Sequence, residues 1–232
     1  MADLQLLTSK YSQFGQRVHI ALTEKKIPCQ VEYVNISEKP EILLKANPIY
    51  KKIPTIIHNG NAIPESIVIL EYLEEAFPDH NPLMPKEPYK RSLARFWTDY
   101  IYKSFANVSE TFTSKPGTPE KEAANAKILE SLKTLDAAMT KFSAEGPFFV
   151  GEKFGYLDVV LTPLLNGFIL LERLGGVPVP GPDELPRLHK WMETTREHLS
   201  VKAVLPSVEE SFTYMKALFE RRAAAAAAAA AK

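Results

Sequence analysis

The sequence predicts an α/β plus all-α protein: a small mixed-sheet domain of order β-α-β-α-β-β-α, then a C-terminal helical bundle domain. Three observations point there. Short apolar or alternating runs interleave with helical stripes over residues 1–78. Pro78, Pro82, Pro85 and Pro88 then interrupt regular structure, which makes residues 79–88 a linker. Residues 89–222 hold no convincing alternating strand, and apolar residues recur there at helical spacing. Residues 223–232 are an alanine run closed by Lys232, and they carry no functional argument.

Leu4 to Leu7 reads as a short buried strand, and Phe14, Val18, Ala21 and Leu22 after it form one helical stripe. Cys29 to Val34 alternates, with Cys29, Val31 and Tyr33 on one face, as a half-buried strand does. A brief helical patch follows at Ile42 to Ala46. Thr55 to His58 and Asn61 to Ile63 flank Asn59-Gly60, a dipeptide that tolerates the positive φ angles of a tight hairpin. Ser66 can cap a helix running to about Phe77, with Ile69, Tyr72, Leu73 and Ala76 on its buried side. A right-handed first crossover and a final hairpin give a small mixed sheet. In the second domain, helical periodicity covers 89–113, 119–142, 156–174, 184–198 and 207–222.

Composition narrows the function classes. The 232 residues, 45% hydrophobic and 24% charged, can bury a substantial core, and they remain globular when the alanine run is discounted. Lys plus Arg balance Asp plus Glu at 28 each, so no global field recruits nucleic acid or an anionic membrane. A single cysteine, Cys29, excludes an intrachain disulfide framework and points to a reducing, cytoplasmic setting. The start of the chain lacks the pattern of a signal peptide, and no uninterrupted apolar run reaches membrane-spanning length. His19, His58, His80, His189 and His198 show no metal-ligand spacing, so no metal is expected.

The chemistry-bearing residues of the first domain are individually unspecific. Ser12, between the first strand and first helix, caps that helix or presents a hydroxyl where free amides favour an anion. Pro54, after Ile53, starts a strand or makes a cis turn. Glu65-Ser66 stands at the mouth of another helix, where capping alone would explain the serine. Lys39, Lys51 and Lys52 add positive charge in the loops between, although exposed lysines are usually solvated surface. Trp97, Tyr100, Phe105 and Phe112 suit a core, and some of them suit an apolar cleft facing Ser12.

Taken in order, SQFGQRVHIAL, NPIYKKIPTIIHNG and IPESIVILEYLEEAFP resemble the N-terminal thioredoxin-like domain of cytosolic glutathione transferases, closest to the tau class. RFWTDYI, GYLDVVL and SVKAVLP extend the resemblance through the helical part, so it covers residues 4 to about 220. It implies a transferase that conjugates glutathione thiolate to hydrophobic electrophiles, with peroxidase or isomerase side activity open to the same thiolate. It also implies a cytoplasmic homodimer with glutathione as co-substrate.

Residue by residue, the resemblance implies that the Ser12 hydroxyl holds the glutathione sulfur as thiolate. Lys39 and Lys52 would meet the glycyl carboxylate, with Lys51 a surface charge. Ile53 would pair its backbone with the cysteinyl backbone, Pro54 would be the cis proline that keeps Ile53 available, and Glu65 and Ser66 would hold the γ-glutamyl end. Tyr11, Phe14 and Phe105 would line the acceptor site. Tyr11 competes with Ser12 as hydroxyl donor, but Ser12 stands five residues before Arg17, as tau and zeta serines do. Asp158 reads as a buried structural cap and Cys29 as an inert core thiol. Lys10, Gln13 and Ala106 depart from the tau pattern on the acceptor side, and they motivate an alternative: a non-catalytic, ligandin-like carrier of hydrophobic molecules.

Overall fold

The computed structural model describes residues 3–105 and 108–230. Its sheet has four strands, β1 (Leu4–Thr8), β2 (Gln30–Tyr33), β3 (Thr55–His58) and β4 (Asn61–Pro64), in the order β2-β1-β3-β4. β1 runs parallel to β2 and antiparallel to β3, and β3 and β4 form the hairpin. Asn59 and Gly60 have φ of 50° and 79°, the two positive angles that a two-residue hairpin with native twist requires. Central β1 is apolar on both sides because both are covered. Leu6 packs with α1 (Gln13–Glu24) and α3 (Ser66–Ala76), while Leu7 joins Val34 and Leu43 beneath α2 (Glu41–Ala46).

Several local expectations shift. β2 is an edge strand, so Tyr33, expected on the buried face, is 59% exposed. On α3 the buried stripe is Ile69, Leu70 and Leu73, with Ala76 outside it. Ser66 is the first residue of that helix and not its cap; Glu65 takes the cap position with φ of 73°.

The helical part begins with α4 (Pro88–Phe105). The expected helix over 89–113 divides: α4 ends at Phe105, Ala106 and Asn107 lie outside the described residues, and α5 (Glu110–Thr113) follows. α6 (Pro119–Phe142) opens on Thr118, whose side chain accepts from the Lys121 amide. The expected helix over 156–174 is α7 (Tyr156–Leu161) and α8 (Leu164–Arg173), separated at Pro163, whose missing N–H cannot continue the ladder. α9 (Pro186–Glu197), the short α10 (Leu199–Lys202) and α11 (Val208–Ala230) complete the fold, with α11 continuing into the alanine run.

Two buried cations join the parts. Lys25 Nζ, at the end of α1, donates to Glu74 Oε1 on α3 at 2.8 Å, and Glu74 also accepts the amides of Leu83 and Met84 in the segment leading to α4. Arg17 Nε donates to the Val160 carbonyl of α7 at 2.8 Å, fastening the sheet unit to the helical unit. Within the helical unit Asp158 is 1% exposed; it accepts from the Phe149 and Gly155 amides and from Trp191 Nε1. Burial pushes its carboxyl up to about 6 even though these three donors favour the charge. All three bonds are structural ties, and none of the four residues they join lines either large cavity.

Candidate functional site

The site begins where β1 hands over to α1. Ser12 is the cap of α1, and its Oγ accepts from the Gly15 amide at 3.1 Å. That bond uses an oxygen lone pair and leaves the hydroxyl proton free to donate, so capping and ligand binding are compatible at one atom. The Gln13 and Phe14 amides make no hydrogen bond within the described residues, as expected of a helix N-terminus, and the helix dipole favours an anion before them. Gly15 allows the close approach: a Cβ there would lie 1.8 Å from Thr8 Oγ1 on β1.

Two cavities meet at Phe14, whose ring borders both. The first, about 590 Å³, lies between α4 and the loops of the sheet unit, and brings together Lys52, Ile53, Pro54, Glu65 and Ser66. The Ile53-Pro54 peptide bond is cis. No hydrogen bond among the described residues engages the Ile53 backbone, so its N–H and C=O are available to an extended ligand. The Lys52 carbonyl is held by Asn47 Nδ2 at 3.0 Å, which fixes the turn at which Lys52 joins the wall. Lys51, next to it, has φ of 53° and does not reach the wall. Lys39 is also outside this cavity, on an exposed turn with φ of 45°.

Glu65 carries the backbone strain of the site. A φ of 73° at a residue with a Cβ costs about 1–3 kcal/mol, and it brings its own backbone and the buried Ser66 to the cavity. The opposite wall was not legible in the sequence: Arg95, Thr98, Asp99 and Tyr102 of α4, with Tyr156 of α7. Their spacing on α4 marks one helical face, but its mixed polarity is that of an ordinary solvated surface. Arg95 is held by a two-pronged pair with Glu71 at 3.0 and 2.7 Å. The Tyr156 hydroxyl is buried without a partner among the described residues, and burial raises its pKa.

The second cavity, about 370 Å³, is lined by Ser12 itself with Tyr11, Phe105, Phe112, α8 and one face of α11. The ring of Tyr11 stacks on Tyr214 of α11 at 4.0 Å and an interplanar angle of 13°, so Tyr11 is a wall. Phe105 packs on Phe168 at 6.0 Å. Trp97 and Tyr100 pack together within the core and line neither cavity. Gln13 lines the second cavity, while Lys10 pairs with Glu210 of α11 at 2.7 Å and beside the Tyr11–Tyr214 stack anchors the serine loop to that helix. Ala106 lies outside the described residues.

Arg17 sits behind Phe14, its guanidinium 5.2 Å from the ring. It is 4% exposed, forms no ion pair among the described residues, and its Nη1 has no partner there; burial brings its pKa down to about 10. Cys29 is half-buried, with its thiol pushed up to about 11 by burial, which makes it a poor nucleophile.

Comparison with known proteins matches residues 6–82 to the glutathione S-transferase N-terminal domain and residues 118–194 to the glutathione S-transferase C-terminal domain. The chain is 36% identical over 223 residues to glutathione S-transferase U24 of Arabidopsis thaliana, covering 96% of this chain and 97% of that one. It is 36% identical over 211 residues to the probable glutathione S-transferase parC of Nicotiana tabacum, covering 90% and 92%. Among solved structures, a tau class glutathione S-transferase from mango superposes with a TM-score of 0.88 at 33% identity, covering 93% of this chain and 98% of that chain. A rice transferase in complex with glutathione gives 0.86 at 33% identity, covering 95% and 97%.

Proposed function

The chain belongs to the glutathione S-transferase family, with tau-class relatives, and we propose that Ser12 generates its glutathione thiolate for transfer to hydrophobic electrophiles. The observation that carries this is the junction at Phe14: a cavity lined by Lys52, Ile53, Pro54, Glu65 and Ser66 on one side, and Ser12 with a more apolar cavity on the other. Glutathione lies along the first, its sulfur at the junction. Lys52 meets the glycyl carboxylate, Ile53 pairs with the cysteinyl backbone, and Glu65 and Ser66 hold the γ-glutamyl end, where Glu65 faces the ammonium. Lys39, exposed and off the wall, adds only longer-range positive charge.

The energetics suffice without a general base. A free thiol titrates near 8.5, and lowering that by about two units takes roughly 2.7 kcal/mol of preferential anion stabilisation. A hydrogen bond to a charged acceptor contributes about 1.5–3 kcal/mol, and a helix N-terminus about 0.3–1. The Gly15 amide polarises the Ser12 hydroxyl it donates to, and the buried Arg17 charge favours the same anion. The thiol proton leaves to solvent. The thiolate then attacks an acceptor held against Tyr11, Phe14 and Phe105, and proximity supplies the remaining rate. The same thiolate can serve peroxidase or isomerase chemistry as a side activity. The single cysteine supports a cytoplasmic setting, and a homodimer is part of the proposal.

Ser12→Ala tests it. Steady-state kinetics with an aryl halide should show turnover reduced about 10- to 100-fold, with glutathione affinity changed far less, because the lost bond is to the ionised sulfur. The absorbance titration of bound glutathione should show its thiol pKa rising by about one to two units. Equal loss of affinity and turnover, or no loss, assigns the thiolate to another donor. A wild-type protein that turns over no aryl halide, isothiocyanate or hydroperoxide above the solution rate is instead a carrier.

A further inference from the structure

Among its described lining residues the second cavity carries one charged side chain, Arg222, and the rest are apolar or neutral. Tyr214, Met215, Leu218, Phe219 and Arg222 line it from one face of α11, the spacing of a single helical stripe. Tyr214 stands at the reactive end, stacked on Tyr11 beside Ser12. Arg222 follows eight residues later, about 12 Å further along the helix axis. A long side chain on a helix leans toward the N-terminus, which carries the Arg222 guanidinium back over Leu218 and Phe219 toward the cavity.

Nothing among the described residues neutralises it. No ion pair or hydrogen bond engages Arg222, and its helical neighbours at three and four positions are Leu218, Phe219, Ala225 and Ala226. Neighbouring Arg221 differs: its Nε donates to the Ala217 carbonyl and it lines neither cavity. Phe112 stacks on Phe219 at 5.0 Å, so the cavity stays apolar up to the cation. An apolar passage with a nucleophile at one end and a lone cation at the other fits a particular acceptor shape.

We propose that the acceptors are amphipathic electrophiles with a carboxylate or similar anion at the end remote from the reacting carbon, which Arg222 recognises. The inference rests on the transferase reading and adds the substrate class. Its ligand chemistry is a charge-assisted hydrogen bond at the cavity rim, with the apolar body between.

Isothiocyanates with a terminal carboxylate, in a series of chain lengths, compared with their methyl esters, test it. The thiolate sulfur bonds to the central carbon of N=C=S, the C=N π pair moves to nitrogen, and water protonates that nitrogen, so nothing is oxidised. The expected result is a preference for acid over ester of about tenfold in kcat/KM at the chain length that spans to Arg222, weakening with added salt. Arg222→Gln should abolish the preference and Arg222→Glu invert it, while Arg221→Gln keeps it. Turnover of acid and ester without preference, or a preference that survives Arg222→Gln, overturns the assignment. Equilibrium titration with ω-phenylalkanoates and their esters reads the same preference without turnover. If no isothiocyanate reacts, this titration alone decides the fate of the Arg222 assignment, while turnover of aryl halides and hydroperoxides decides that of the transferase reading.

Discussion

Lys51 and Lys52 are adjacent, identical in chemistry, and different in what they reach. Lys51, where the chain has φ of 53°, does not line the first cavity, whereas Lys52 does. Replacing Lys52 by Met keeps the apolar stem and removes the charge. Calorimetric titration should show glutathione binding about tenfold weaker for Lys52→Met, the lower end for a charge-assisted bond because the ammonium is exposed. Lys51→Met should leave affinity within about twofold. A larger loss at Lys51 would place the glycyl carboxylate elsewhere. At Ser12 the observed capping role and the proposed catalytic role are compatible in one hydroxyl, since one uses its oxygen and the other would use its proton.

At the scale of elements, the junction of α1, α3 and the segment before α4 depends on a charge pair that contains no ligand-binding residue. Lys25 and Glu74 have side chains 0% and 6% exposed, and Glu74 additionally accepts two backbone amides. Removing one partner of a buried pair costs about 3–5 kcal/mol because the other is left buried and uncompensated. Lys25→Met should therefore lower the unfolding free energy by about 3 kcal/mol in urea titration, the low end because two N–H donors still serve Glu74. An unchanged denaturation midpoint would show that Glu74 is satisfied by those amides alone. The double variant with Glu74→Leu should not recover full stability, since the Leu83 and Met84 amides then lose their acceptor.

Across the whole molecule, several exposed apolar side chains border the first cavity: Tyr50 is 59% exposed, Val68 54% and Tyr102 48%, and all three line it. Ile49, next to Tyr50 in the chain, is 81% exposed, and Phe96, next to the lining Arg95, is 59% exposed. Such a patch suits a partner surface, in keeping with the proposed homodimer. Sedimentation should give twice the 26.0 kDa chain mass at micromolar concentration, and Tyr50→Glu with Phe96→Glu should shift it to monomer. A monomeric wild type would end that expectation.

The amino-acid sequence by itself determined the element order and the Asn59-Gly60 hairpin, and it singled out Lys52, Ile53, Pro54, Glu65 and Ser66, which the fold brings to the first cavity, because turn chemistry, strand alternation and short motifs are local. It also placed α6 over 119–142, where Thr118 and Pro119 mark the start chemically. Only the tertiary structure decided which side of α4 faces that wall, because Arg95, Thr98, Asp99 and Tyr102 read as solvent-facing until α4 is set beside the sheet unit. Lys39 and Lys52 are likewise equal as loop lysines, and only the packed chain puts one at the cavity and the other outside it. The same holds for the second cavity, whose walls come from the serine loop, α8 and α11, segments separated by more chain than any local pattern can span.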